Sequence, residues 1–281
     1  MNCLCLLDDG RLVSGSGDNS IIIYNKITYK PDIIIKEHNN WVISILKLKN
    51  NTIASCSFDA TIKLFKINNN NYNVLQILNY HKDRVYKIIE LKNKNLVSCS
   101  HDQTIIFYFK DNFTYQKDYE ISTNNISNSI IQTKENDIYY LESIISYYNI
   151  YFFDLNERKI KTSISNITCS GSLAPFNMVT KEILIIGGYN NISVININQY
   201  KLVNSIDIPN SGWINGFCLL NENMFLTGGF GGSIRQWKIE REKINLMSIK
   251  KKADNFNINA IIKLKKGKIA TGSYDKFIKI W

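Results

Sequence analysis

IATGSYDKFIKIW (269–281) is the plainest of seven related phrases in this chain. Residues 269–271 read as one strand, 273–276 as a tight turn and 277–281 as the strand that returns. Side chains alternate along a strand, so Ile278 and Ile280 share a face. The sister turns are rich in Gly, Ser, Asp and Asn, which tolerate unusual backbone angles or hydrogen-bond their own main chain. The other copies are LVSGSGDNSIIIY (12–24), IASCSFDATIKLF (53–65), LVSCSHDQTIIFY (96–108), LESIISYYNIYFF (141–153), ILIIGGYNNISVI (183–195) and FLTGGFGGSIRQW (225–237). Their starts lie 41, 43, 45, 42, 42 and 44 residues apart, and all seven carry isoleucine at the tenth position. Those isoleucines are expected to be buried between repeats.

An apolar stretch precedes each phrase, as in WVISILKL (41–48), RVYKIIEL (84–91), WINGFCLL (213–220) and NINAIIKL (257–264). A further strand follows most phrases, for example at 72–78 or 201–208. Each repeat therefore supplies four strands, and no long helical pattern occurs. A period in the low forties with a hairpin in every unit predicts an all-β, seven-bladed β-propeller of four-stranded antiparallel blades. The whole of 1–281 reads as one such domain.

The repeats resemble the WD40 family along the whole chain. That resemblance implies Gly-His before the first strand, Ser or Thr in the second, Asp in the turn and Trp-Asp closing the third. Here His38 precedes Trp41, Ser55 and Asp59 follow, and Phe65 stands at the Trp position. The next unit has His81, Ser98, Asp102 and Tyr108. The last has Thr271, Asp275 and Trp281, with Asn255 near the His position. No unit keeps all four family members. The fourth and fifth lack the turn Asp, with Tyr147 and Tyr189 in its place.

Chemistry is sparse. Cys56 and Cys99 occupy the slot held elsewhere by Gly15, Gly228 and Gly272, so they read as small residues in packed strands of a protein from a reducing compartment. Nothing has Cys-x-x-Cys spacing, and no metal or cofactor is expected. Asp18, Asp59, Asp102 and Asp275 recur once per unit because the turn requires them, so they make a poor catalytic set. Gly15-Ser16-Gly17 lacks the later glycine and helix of a dinucleotide site. No catalytic residue is assigned, and the chain does not read as an enzyme. No stretch approaches the roughly 20 apolar residues that span a bilayer, and no signal peptide is recognised.

Binding remains. The sixth phrase position and the residue leading into the innermost strand should meet on one loop face. They hold Phe58, His101, Phe230 and Tyr274, and Trp41, Arg84 and Trp213. Large aromatics and arginine are over-represented among interface hot spots, and Gly17 and Asn257 show that the fold does not demand bulk there. The plainer alternative is that these rings pack only against neighbouring loops. The formal net charge of +10 falls largely on turn lysines such as Lys47, Lys49, Lys92, Lys94, Lys265, Lys266 and Lys268, with 250–252 beside them. They could hold an acidic protein, RNA or an anionic membrane surface, although turns are lysine-rich for solvation alone.

The expected function is a non-catalytic scaffold binding partner proteins or peptides, as a cytoplasmic monomer within a larger complex, a nuclear home being left open. The alternatives are a ubiquitin-ligase substrate receptor and an RNA-associated ribonucleoprotein component; nucleic acid is the less favoured partner. The last blade lacks its outer strand, so 277–281 is expected to present an unpaired edge and the chain to be a fragment of a longer one.

Overall fold

The computed structural model describes residues 1–112, 114–134, 137–144, 147–167 and 176–281, without the side chains of Lys134, Ile144, Phe176, Phe230 and Lys266. The described residues form seven antiparallel sheets, each with its strands in chain order, which are the blades of an all-β propeller. Blade one contains β1 Cys3–Leu6, β2 Leu12–Gly15, β3 Ile21–Tyr24 and β4 Pro31–Ile35. Blade two contains β5 Val42–Lys47, β6 Thr52–Ser57, β7 Ile62–Ile67 and β8 Tyr72–Leu78. Blade three contains β9 Val85–Glu90, β10 Leu96–Ser100, β11 Thr104–Asp111 and β12 Thr114–Ser122. Blade four contains β13 Ile126–Lys134, β14 Asp137–Ile144, β15 Tyr147–Asp154 and β16 Lys159–Ile167. Blade five contains β17 Phe176–Met178, β18 Ile183–Gly187, β19 Asn191–Asn196 and β20 Lys201–Asp207. Blade six contains β21 Ile214–Asn221, β22 Met224–Gly229, β23 Ile234–Glu240 and β24 Lys243–Lys250. Blade seven has three strands, β25 Ile258–Lys263, β26 Ile269–Ser273 and β27 Ile278–Ile280. The chain divides into two compact units, Met1–Ser127 and Asn128–Trp281.

The turn inside the phrase has a local cause. Asp18, Asp59, Asp102 and Asp275 each accept, through Oδ1, the backbone N–H two residues on, at 2.9–3.0 Å. The intervening residue takes a left-handed φ: 69° at Asn19, 68° at Ala60, 62° at Gln103 and 70° at Lys276. A side chain that imitates a backbone turn thus reverses the chain at a fixed place. In consequence Gly15 pairs with Ile21, Cys56 with Ile62, Cys99 with Ile105 and Gly272 with Ile278. Blade six keeps the same pairing, Gly228 with Ile234, on a glycine turn.

Blades four and five depart from the seven in-register copies expected. In blade four Leu141 pairs with Ile150, and the ladder runs on to Ile144 opposite Tyr147. The first strand of its phrase, β14, begins at Asp137 rather than near 141, and Tyr147 opens a strand instead of lying in a turn. The segment that should have turned is rich in isoleucine and tyrosine, which favour extended chain. In blade five Gly187 pairs with Ile192, one residue tighter than in blades one, two, three, six and seven.

The cores lie between successive sheets. Ile62 packs with Val85 and Ile88 of the following blade, Ile21 with Val42, and Ile234 with Ile258 and Ile261. Six of the tenth-position isoleucines are buried, from Ile21 to Ile234, each contributing about 1.5–3 kcal/mol of burial. Ile278 is only half-buried, because β27 is the edge of a three-stranded sheet. Where the next blade sits closest the phrase has glycine. A Cβ at Gly15 would lie 2.7 Å from Val42 Cγ1, and one at Gly228 2.6 Å from Ile258 Cγ2.

Candidate functional site

Beneath the loop end of blades two and three lies a buried polar network. His38 Nδ1 is 2.8 Å from Asp59 Oδ2 and its Nε2 is 2.8 Å from Ser55 Oγ. His81 repeats this with Asp102 at 2.9 Å and Ser98 at 2.7 Å. A carboxylate only accepts, so Nδ1 donates to it and the serine hydroxyl donates to Nε2. In blade three the Tyr108 hydroxyl lies 3.0 Å from Ser98 Oγ, giving a four-membered chain from Tyr108 through Ser98 and His81 to Asp102. No unit keeps the Trp together with the other three, but in blade three a phenol takes the indole's place in the chain. Burial alone would raise Asp59 and Asp102, but hydrogen bonds from the histidines and from Thr61 and Thr104 outweigh it and hold both well below the usual carboxylate range. This is a clamp. Each carboxylate oxygen accepts two hydrogen bonds, one oxygen from the histidine and a backbone N–H, the other from the threonine hydroxyl and N–H.

Above the clamps, the sheet geometry brings the sixth phrase residue beside the residue that leads into the inner strand. Phe58 N donates to Trp41 O at 3.0 Å, His101 N to Arg84 O at 2.9 Å, and Tyr274 N to Asn257 O at 3.3 Å. In the first unit the side chains then join. Trp41 stacks on Phe58, with centroids 5.7 Å apart at 14°. Phe58 meets Tyr86 edge-on at 5.5 Å, and Arg84 lies 5.0 Å over the Phe58 ring. Tyr86 in turn meets His101 at 6.2 Å. A Cβ at Gly17 would come 3.5 Å from the Trp41 indole, an ordinary contact, so the Gly17 backbone lies directly beside the ring. Trp41 remains 42 % exposed, and Arg84 is exposed as well.

In the second unit Trp213 is 47 % exposed and meets Tyr189 edge-on at 6.2 Å. The two are also joined by a backbone bridge. Tyr274 is exposed, and no ring contact joins it to Trp213 among the described residues. The side chain of Phe230 lies outside the described residues.

Three contributors went unread in the sequence. Tyr86 lies two residues after Arg84, where the β9–β10 ladder steps from Val85 to Lys87, an irregularity with no signal in the sequence. Asp83 Oδ2 holds His101 Nδ1 at 2.9 Å. Asp254, not Asn255, occupies the His register of blade seven and pairs with Lys279 at 2.9 Å.

Of the turn lysines, Lys47 pairs with Asp8 at 2.6 Å and Lys94 with Glu90 at 3.5 Å. Among the described residues no group of three or more His, Cys, Asp or Glu could hold a metal. Burial pushes the Cys3 and Cys99 thiols up to about 12, and Cys56 also well above its usual value, which makes them poor nucleophiles. Cys169 lies outside the described residues.

A family model described as WD domain, G-beta repeat matches residues 1–25 and 29–66. No curated protein matches the chain.

Proposed function

We propose that this chain, a WD40-repeat β-propeller, serves as a non-catalytic scaffold that holds a partner protein or peptide on the loop end of its blades. Propellers of this family generally serve as protein-interaction scaffolds. The observation that carries the proposal is the run Trp41–Phe58–Tyr86 with Arg84 above it. Half of that indole faces solvent while its neighbours fix its orientation, so little side-chain entropy remains to be lost on binding. Arg84, Trp41 and Phe58 supply the residue types that dominate hot spots. Trp213 and Tyr274 are further exposed rings on the second unit. Lys47 and Lys94 already have acidic partners within the chain, which favours the aromatic run over the lysine turns as the binding element.

The test is a paired measurement on Trp41→Ala with Arg84→Ala. Cross-linked partners identified with the wild type should bind the double variant about 30-fold or more weakly, with the thermal midpoint within a few degrees. A midpoint that collapses would mean the rings are structural, and unchanged affinity would place the partner elsewhere.

A further inference from the structure

Phrase position eleven carries a cation in three blades: Lys63, Arg235 and Lys279. Lys63 donates to the Glu37 carbonyl. Lys279 lies 2.9 Å from Asp254 and 3.2 Å from Asp275. Arg235 has no such match. It is 7 % exposed, and its Nε and Nη1 are buried without a hydrogen-bond partner. Its neighbours across the sheet are Thr227 and Ile249, and the Thr227 hydroxyl already accepts the Trp237 indole N–H at 2.8 Å.

An uncompensated buried cation is among the costliest arrangements in a folded chain, and burial presses the Arg235 pKa down. Blade seven shows where the compensation would sit. The registers of Asp254 and Asp275 are held in blade six by Asn210 and Gly231. Asn210 is exposed, and a Cβ built on Gly231 would meet no heavy atom within 4 Å. Blade six thus has the cation with neither acid, and the space beside Gly231 is open.

We infer that Arg235 forms an oxyanion site at the loop end of blade six, receiving a carboxylate or phosphate from outside the chain. A guanidinium presents a planar fork of donors that matches either group. The site stands on blade six alone and does not rest on the aromatic run of the first unit.

Thermal midpoints of the full chain in chloride, acetate and inorganic phosphate at equal ionic strength test it. Acetate, phosphate or both should raise the wild-type midpoint by about 2 °C more than that of Arg235→Met. The variant measures the general stabilisation by excluded salts, and Arg235→Gln takes its place if it does not fold. A response to acetate marks carboxylates, as on an acidic peptide; a response to phosphate alone marks phosphate groups. Asn210→Asp, which restores an acid at the Asp254 register, should raise the midpoint in chloride and shrink the increment. Equal increments in wild type and the Arg235 variant, or none in the wild type, overturn the site.

Discussion

Blades two and three and blades four and five perform the same packing task by different means. In the first pair, Asp59 and Asp102 fix the turn through one carboxylate oxygen and hold His38 and His81 through the other. Ser55 and Ser98 complete the clamp. In the second pair the turn Asp is absent. The residue across the sheet from position eleven, Ser55 and Ser98 in the first pair, is Tyr140 in blade four and Ile186 in blade five. Tyr140 stacks on Tyr151 at 5.0 Å, and Ile186 joins Tyr139, Leu141, Tyr148, Ile150 and Phe152 in one buried cluster.

The same two blades are the ones whose hairpins changed length. The Asp therefore has two jobs. In blades two and three it measures the turn and anchors the histidine, but the jobs are separable: Asp18 and Asp275 fix turns without a histidine, and blade six keeps the pairing on glycine. The blade itself survives because apolar burial is non-directional, whereas the clamp works only at hydrogen-bond distance and angle.

That contrast can be broken by substitution. The largest effect is expected from Phe152→Ala, which empties a buried ring site between Tyr139 at 4.5 Å and Tyr200 at 4.7 Å. It should cost about 3–5 kcal/mol by denaturant titration; less than 1 kcal/mol would show that blade four is not held by its aromatic core. His81→Ala comes next. It leaves Asp102 and Ser98 without their buried partner and should cost about 2–3 kcal/mol. A cost near zero would mean the clamp is ornamental to stability.

Acid sharpens the comparison further. Asp59 and Asp102 titrate lower in the folded chain than in the unfolded chain, where aspartate ionises near ~3.9. A depressed carboxylate stabilises fully above that unfolded value, and the contribution drains away as pH falls below about 4. Hydrogen exchange at pH 3 should thus lose protection in 81–104 before 138–153. In blade four a hydrogen bond from Lys161 holds Asp154 at about 2, a smaller depression than those of Asp59 and Asp102, so its share of the acid response is the smaller. Simultaneous loss in both segments would make the acid response global instead of clamp-specific. The smallest effect is Tyr108→Phe, which removes one hydroxyl from Ser98 and should cost about 1 kcal/mol. Its folding midpoint is the readout, and an unchanged value would reduce the blade-three network to the three members seen in blade two.

Much of the molecule follows from spacing alone. A repeat near 42 residues, alternating side chains and an Asp at one place in the turn dictate where each strand starts, which way it runs and which isoleucines face the next blade. The clamp residues were legible for the same reason, since His, Ser and Asp recur at constant offsets. Blade four's hairpin was not, because the repeat spacing called for a turn where isoleucine and tyrosine favour extended chain, and pairing decided between the two signals. The stack of Trp41 on Phe58, the hold of Asp83 on His101 and the solitude of Arg235 were settled only in three dimensions. Sequence spacing fixes the backbone register; a side chain's neighbours depend on which chain segments the fold has brought within a few ångströms.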